Sequence, residues 1–202
     1  MFAWWMVLAH ATPSTAPPVA TVRLPAAPGL LDRWDAERSH GTRLTVDTLL
    51  QATRALAWRH PTWDPVTIGD LSNAGGGPMF GHSTHDEGLD ADLGLFVQGG
   101  VQPDGFADVS PEALDPEATW ALIASLLATG NVQFILLDQG HIDVLRAHLI
   151  AQGHDVEAID RVFVPRSTRL TAARRGIVRH APNHRSHLHV RVTPPPDPSP
   201  VL

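Results

Sequence analysis

The residues best suited to chemistry lie in two short clusters: Gly81-His82-Ser83-Thr84-His85-Asp86-Glu87-Gly88-Leu89-Asp90-Ala91-Asp92 and, far downstream, His184-Arg185-Ser186-His187-Leu188-His189. Histidine is the commonest neutral nitrogen ligand of metals, and aspartate is a compact anionic oxygen ligand. His85, Asp92 and one histidine of the second cluster would therefore give a metal three protein ligands and leave a position open. An open position implies a reaction rather than a structural clamp.

Such a site needs elements that aim both clusters at one point. If residues 186 to 192 form a strand, His187, His189 and Arg191 share one face, while Leu188, Val190 and Val192 share the other and enter the core. Leu89, Ala91, Leu93 and Leu95 alternate in the same way with Asp90, Asp92, Gly94 and Phe96, which puts both aspartates opposite an aliphatic face. From that face Asp90 could orient a ligand such as His85, or cap a loop.

The stretch His82-x-x-His85-x-x-Gly88-Leu89-Asp90-x-Asp92, with Gly75-Gly76-Gly77 before it and Arg179-His180-Ala181-Pro182-Asn183-His184-Arg185-Ser186-His187-Leu188-His189-Val190-Arg191 near the end, resembles the penicillin-insensitive murein endopeptidases. These enzymes fall in a wider group with lysostaphin-type enzymes, D-alanyl-D-alanine peptidases and the hedgehog signalling fold. The resemblance implies zinc bound by His85, Asp92 and His189, one ion per chain, with His187 catalytic and His82 and His184 lining the site. It also implies the substrate, peptide stems of peptidoglycan, cut at D-alanyl to meso-diaminopimelyl cross-links. Carboxylates on such peptides would need a cation, and Arg191 or Arg179 could supply it. No His-Glu-x-x-His motif occurs, so the base that activates water should be a histidine.

Two other readings fit the same residues. A pair of histidines with one carboxylate also describes non-haem iron enzymes, although these usually place the acid closer to the first histidine than Asp92 is to His85. A metal-stabilised cell-wall binding module without catalysis is the other. Of the other histidines, His10, His40, His60, His141, His148 and His154 read as surface or satisfied core groups.

Composition sets the frame. The 202 residues suffice for one well-packed domain, and 43% hydrophobic with 18% charged residues describes an ordinary globular chain. A net charge of -6, with fifteen basic residues that are all arginine and scattered, argues against nucleic acid as a partner. The absence of cysteine excludes disulfides and thiolate ligands. Residues 1–20, an apolar run through Ala9 followed by a Thr/Pro/Ala-rich stretch, read as a signal peptide without a basic start, or as a disordered arm. A signal would make the protein periplasmic or secreted. Residues 21–193 would form the zinc peptidase domain and 194–202 a proline-rich tail. No stretch is long and apolar enough for a membrane span. Oligomeric state has no signature in the sequence.

The expected fold is α+β: a small antiparallel sheet carrying the metal site, flanked by helices and long loops. Leu30, Leu31 and Trp34 suggest a short helix. Val46, Leu49, Leu50, Thr53, Leu56 and Ala57 predict an amphipathic helix ending before Pro61. Val66 to Ile68 reads as a strand and 73–84 as a loop. Asp115-Pro116 starts a helix that stops near Gly130, Val132 to Leu137 is a buried strand, and 141–152 is another helix. Ile177, Val178 and the His-x-His strand read as a hairpin with its turn beside the metal.

Overall fold

A computed structural model describes residues 19–32, 36–163 and 177–194. The N-terminal apolar run, Trp34 and the tail beyond Pro194 lie outside the described residues. The architecture is α+β. Strands β1 (Thr21–Arg23) and β3 (His40–Thr42) form a two-stranded antiparallel ribbon. The larger sheet contains β2 (Leu30–Asp32), β4 (Val66–Ile68), β5 (Asp90–Gly94), β6 (Val132–Leu137), β7 (Val178–His180) and β8 (His187–Val192). Its order is β2-β4-β5-β8-β6-β7. The three central pairings are antiparallel, while β2 runs parallel to β4 and β7 parallel to β6.

The sheet is therefore mixed and six-stranded, larger than the small antiparallel one expected. The α+β expectation holds, but two local ones fail. Leu30 and Leu31 lie in β2, where pairing with Val66 and Thr67 supplies hydrogen bonds that a short isolated helix could not match. Strands β7 and β8 do not form a hairpin, because β6 lies between them and pairs with both. Crossing one strand means spanning roughly 10 Å, two strand spacings, which six connecting residues do easily and a tight two-residue turn cannot.

Helix α1 (Arg43–Arg59) starts at Thr42, whose hydroxyl accepts from the Thr45 amide, and it buries Val46, Leu49, Ala52 and Leu56. Helix α2 (Pro116–Leu127) begins as its sequence dictates: Asp115 accepts from the Ala118 amide, and Pro116 occupies the first turn. Helix α3 spans Gln139–Ala151, and a short α4 (Val156–Val162), capped by Asp155, was not expected from the sequence. Leu49, Leu56, Leu122, Ile123 and Leu126 from the helices join Ala91, Leu93, Leu188, Val190 and Ile135 of the sheet in one hydrophobic core. The opposite face of β5 and β8 is left to carry polar side chains.

Candidate metal and catalytic centre

Sheet register brings the two histidine clusters together. In the β5–β8 ladder Asp92 pairs with His189, Asp90 with Arg191 and Gly94 with His187. Alternation turns Leu188, Val190 and Val192 into the core, fully buried, and leaves the three partners of Asp90, Asp92 and Gly94 on the other face. His189 lies opposite Leu136 of β6, which lies opposite Arg179 of β7, so one line across the sheet reads Asp92, His189, Leu136, Arg179.

The ligand-type atoms converge closely. His189 Nδ1 lies 3.1 Å from Asp92 Oδ1 and 3.2 Å from His85 Nε2. His85 Nε2 is 3.5 Å from Asp92 Oδ1. Bonds of about 2.0–2.2 Å at tetrahedral angles hold ligand atoms about 3.3–3.6 Å apart, close to this triangle. A second set shares two of its members: His82, His85 and Asp92 have ligand atoms within 4.8 Å of one another and could hold a metal ion. The nearest approach of His82 to the carboxylate is wider, 3.8 Å from Nδ1 to Asp92 Oδ2.

Neighbouring groups determine which nitrogen each ring presents. His85 Nδ1 donates to the Leu71 carbonyl at 2.5 Å, which leaves Nε2 facing Asp92. His189 is reversed: Nε2 donates to Asp90 Oδ1 at 2.9 Å and Nδ1 faces the site. Asp90 is fully buried and its second oxygen accepts from Arg191 Nη1 at 2.6 Å. Arg191 also pairs with Glu87 and donates to the Thr84 carbonyl at 3.3 Å, so its charge is engaged beneath the loop that carries His85. The guanidinium of Arg179 sits over the Phe134 ring, 4.9 Å from its centroid.

The electrostatics are those of a cation site. Burial alone would raise the Asp92 carboxyl, but hydrogen bonds from His189 and His85 and the charge of the neighbouring rings hold it well below the usual carboxylate range. Burial alone would lower His189, yet Asp90 and Asp92 bracket the ring and push it up to about 9. A pocket that stabilises a proton this strongly is one that a metal cation can take over by displacing it.

His187 flanks this group. Its Nε2 is 3.7 Å from Asp92 Oδ1, and its Nδ1 meets Ser186 Oγ at 2.9 Å. Its ring stacks on Phe106 at 5.4 Å between centroids. Burial lowers the His187 pKa against the opposing pull of Asp92, which favours the neutral, proton-accepting form. His184 Nδ1 lies 2.7 Å from the Pro182 carbonyl, its ring is 5.0 Å from that of His187, and burial likewise lowers it.

On the other flank, His82 Nε2 donates to Asp70 Oδ2 at 2.8 Å. Sequence reasoning missed Asp70, Phe106 and Phe134. Asp70 had only a weak signal, an acid two residues beyond a wholly buried strand, and the aromatic residues had none. His141, read as a surface or satisfied core group, is buried with Nε2 donating to the Val109 carbonyl at 2.8 Å, while its buried Nδ1 has no hydrogen-bond partner.

The tight loop between His85 and β5 depends on Gly88. Its φ is +68°, and a Cβ there would lie 2.9 Å from Thr21 Cγ2 and 3.1 Å from the Thr42 amide nitrogen. Its carbonyl accepts from the Thr42 amide and the Thr45 hydroxyl, which pins the loop to the start of α1.

No curated protein sequence matches the chain. A family model described as penicillin-insensitive murein endopeptidase matches residues 31–200. That span takes in every strand of the large sheet except the first residue of β2, and both histidine clusters, so the chain belongs to the penicillin-insensitive murein endopeptidases and is a hydrolase of peptidoglycan.

Proposed function

We propose that the protein is a zinc-dependent endopeptidase that hydrolyses peptide cross-links of peptidoglycan at D-alanyl to meso-diaminopimelyl bonds, acting outside the cytoplasm. The observation that carries the metal assignment is the triangle of His85 Nε2, Asp92 Oδ1 and His189 Nδ1, with sides of 3.1 to 3.5 Å. Two neutral nitrogens and one carboxylate suit zinc, and three protein ligands leave a position for a reactant. His189 is preferred over His82 as third ligand because it closes the tighter triangle and because Asp90 backs its remote nitrogen, the usual support of a metal-bound histidine.

Zinc supplies Lewis-acid activation, drawing the pKa of a water toward about 7 and polarising a peptide carbonyl. The chain's own groups would do the rest. His187, neutral and held by Ser186 and Phe106, takes the proton of the attacking water at Nε2 and returns it to the departing amine. His184 borders the same side. Asp90 keeps His189 oriented, and Arg191 holds Asp90 in place, an arrangement in which Arg191 supports the ligand more directly than it could meet a substrate. Arg179, half-buried on the last strand of the sheet, is the better placed of the two arginines to meet a substrate carboxylate.

Purified protein incubated with cross-linked muropeptide dimers should release monomers, seen by mass spectrometry, and elemental analysis should find one zinc per chain. Cleaved glycan with intact peptide bridges would refute the peptidase reading. Absence of bound metal together with turnover that chelators do not touch would refute the zinc.

A further inference from the structure

Three consecutive residues beyond β4 act as a platform for the site. The Gly69 amide donates to the Asp92 carbonyl at 2.8 Å, and the Asp92 amide donates to the Asp70 carbonyl at 3.0 Å. The Leu71 carbonyl orients His85. The Asp70 carboxylate completes the set by holding His82. Its backbone is thus locked to Asp92, while its side chain is aimed at the next histidine.

Asp70 is nearly buried, at 8% exposure. Its Oδ2 accepts from His82 Nε2 at 2.8 Å and from Arg38 Nη2 at 2.8 Å. Oδ1 is buried without a hydrogen-bond partner, so the carboxylate's buried interactions run through the one oxygen that holds His82. Arg38 also donates to the Phe80 carbonyl at 3.2 Å, which ties Asp70 to the glycine-rich loop before His82. A carboxylate can only accept here, so with a single ring proton His82 carries it on Nε2 and presents the Nδ1 lone pair to the site. That lone pair faces Asp92 Oδ2 at 3.8 Å, whereas His187 faces Oδ1 at 3.7 Å. The two histidines therefore approach the Asp92 carboxylate from different oxygens.

We propose that Asp70 is a positioning residue that fixes His82 as the Nε2–H tautomer, so that His82 Nδ1 serves as a hydrogen-bond acceptor for the attacking water or substrate N–H on the flank opposite His187. This rests on the zinc peptidase reading above. His82 is on this account not a metal ligand but a second acceptor, and Asp70 acts through it. An acceptor on each side constrains where a proton-bearing reactant can sit, which is how orientation contributes to rate.

The test uses the full zinc-loaded chain and muropeptide dimers, with Asp70→Ala, Asp70→Asn, His82→Ala and the double variant Asp70→Ala/His82→Ala. Zinc content should stay at the wild-type level in all four. Asp70→Ala and His82→Ala should each lower kcat by about 10- to 100-fold, and the double variant should be no worse than His82→Ala alone. Asp70→Asn, whose amide oxygen still accepts from Nε2–H, should recover most of the loss. Nitrogen-15 NMR of labelled histidines gives a readout independent of turnover: His82 should be protonated at Nε2 in the wild type and in Asp70→Asn, and a mixture of tautomers in Asp70→Ala. Wild-type kcat in Asp70→Ala, losses that multiply in the double variant, or an unchanged tautomer would each overturn the proposal. So would zinc loss in His82→Ala, by making His82 a ligand. A wild-type protein without zinc or endopeptidase activity would instead overturn the reading on which this rests.

Discussion

Replacing Asp90 by asparagine tests whether the support behind His189 sets metal affinity. The buried carboxylate accepts two charge-assisted bonds, from His189 Nε2 at 2.9 Å and from Arg191 Nη1 at 2.6 Å. Asparagine keeps the shape but has one acceptor oxygen, so its NH2 must oppose one of two donors. Losing the anion behind a metal-bound histidine costs about 10- to 100-fold in metal affinity, equivalent to about 1.4–2.8 kcal/mol. Stability should fall less than the roughly 3–5 kcal/mol of an orphaned buried charge, because Arg191 keeps Glu87 at the rim. About 1.5–3 kcal/mol, the worth of a hydrogen bond to a charged group, is expected. Zinc competition against a chromophoric chelator reads the first quantity, and urea unfolding of the metal-free protein reads the second. Glu87→Gln is the control: it weakens the other contact of Arg191 without touching His189, and should leave zinc affinity within about twofold of wild type. Asp90→Asn binding zinc as tightly as wild type, in a folded protein, would refute the argument that this carboxylate tunes the ligand.

His187→Ala should retain its zinc and lose about 10²-fold or more in kcat, whereas His189→Ala should lose the metal; the opposite pattern of metal retention would exchange their roles. The metal-free protein should lose stability as pH rises. His189 is raised from its ordinary 6.5 to about 9, so its contribution is fully present below about 6.5 and disappears as pH climbs through about 9. Denaturant titrations at pH 6 and pH 10 should show this loss in chelated protein and not in the zinc-loaded form, and equal stability of chelated protein at both values would count against it. Away from the site, Asp115→Ala removes acceptors for the Ala118 and Gly100 amides, and should cost about 1 kcal/mol of stability with zinc content and kcat unchanged.

The site was legible in sequence wherever one residue's chemistry coincided with strand periodicity. Asp92, His187 and His189 could be placed on a common face because Ala91, Leu93, Leu188 and Val190 mark the opposite face as core, and β5 and β8 pair in a register that meets that expectation. Helices α1 and α2 were readable for similar reasons, an apolar period in one and an Asp-Pro start in the other. What periodicity cannot encode is which strands are neighbours. Leu30 and Leu31 became a strand through pairing with β4, and β7 was separated from β8 by β6, both decided by tertiary packing that no local pattern reports. Asp70 and Phe106 were missed on the same ground. Each meets a histidine distant in sequence, through a contact that exists only once the sheet has formed.

The register that builds the core is also the register that builds the site. Sliding β8 by one residue against β5 would send His187, His189 and Arg191 toward α1 and α2, and would turn Leu188, Val190 and Val192 out beside Asp92. Burying a protonated or metal-seeking imidazole among Leu49, Leu122 and Leu126 is far costlier than exposing three aliphatic side chains. Hydrophobic burial therefore excludes the slipped sheet and, by doing so, places His189 opposite Asp92 before any ion binds. The groups that flank this rigid pair are set differently. His82, His184 and Phe106 lie outside the named strands and helices, and each is held by a few polar or stacking contacts. Precision of Asp92 and His189, two of the proposed metal ligands, thus comes from the sheet; His85 is fixed from its loop by the Leu71 carbonyl, and the shape offered to a substrate comes from the loops around it. Substitutions of these flanking groups should alter turnover while the metal is kept, whereas substitutions of Asp92 or His189 should abolish the metal site.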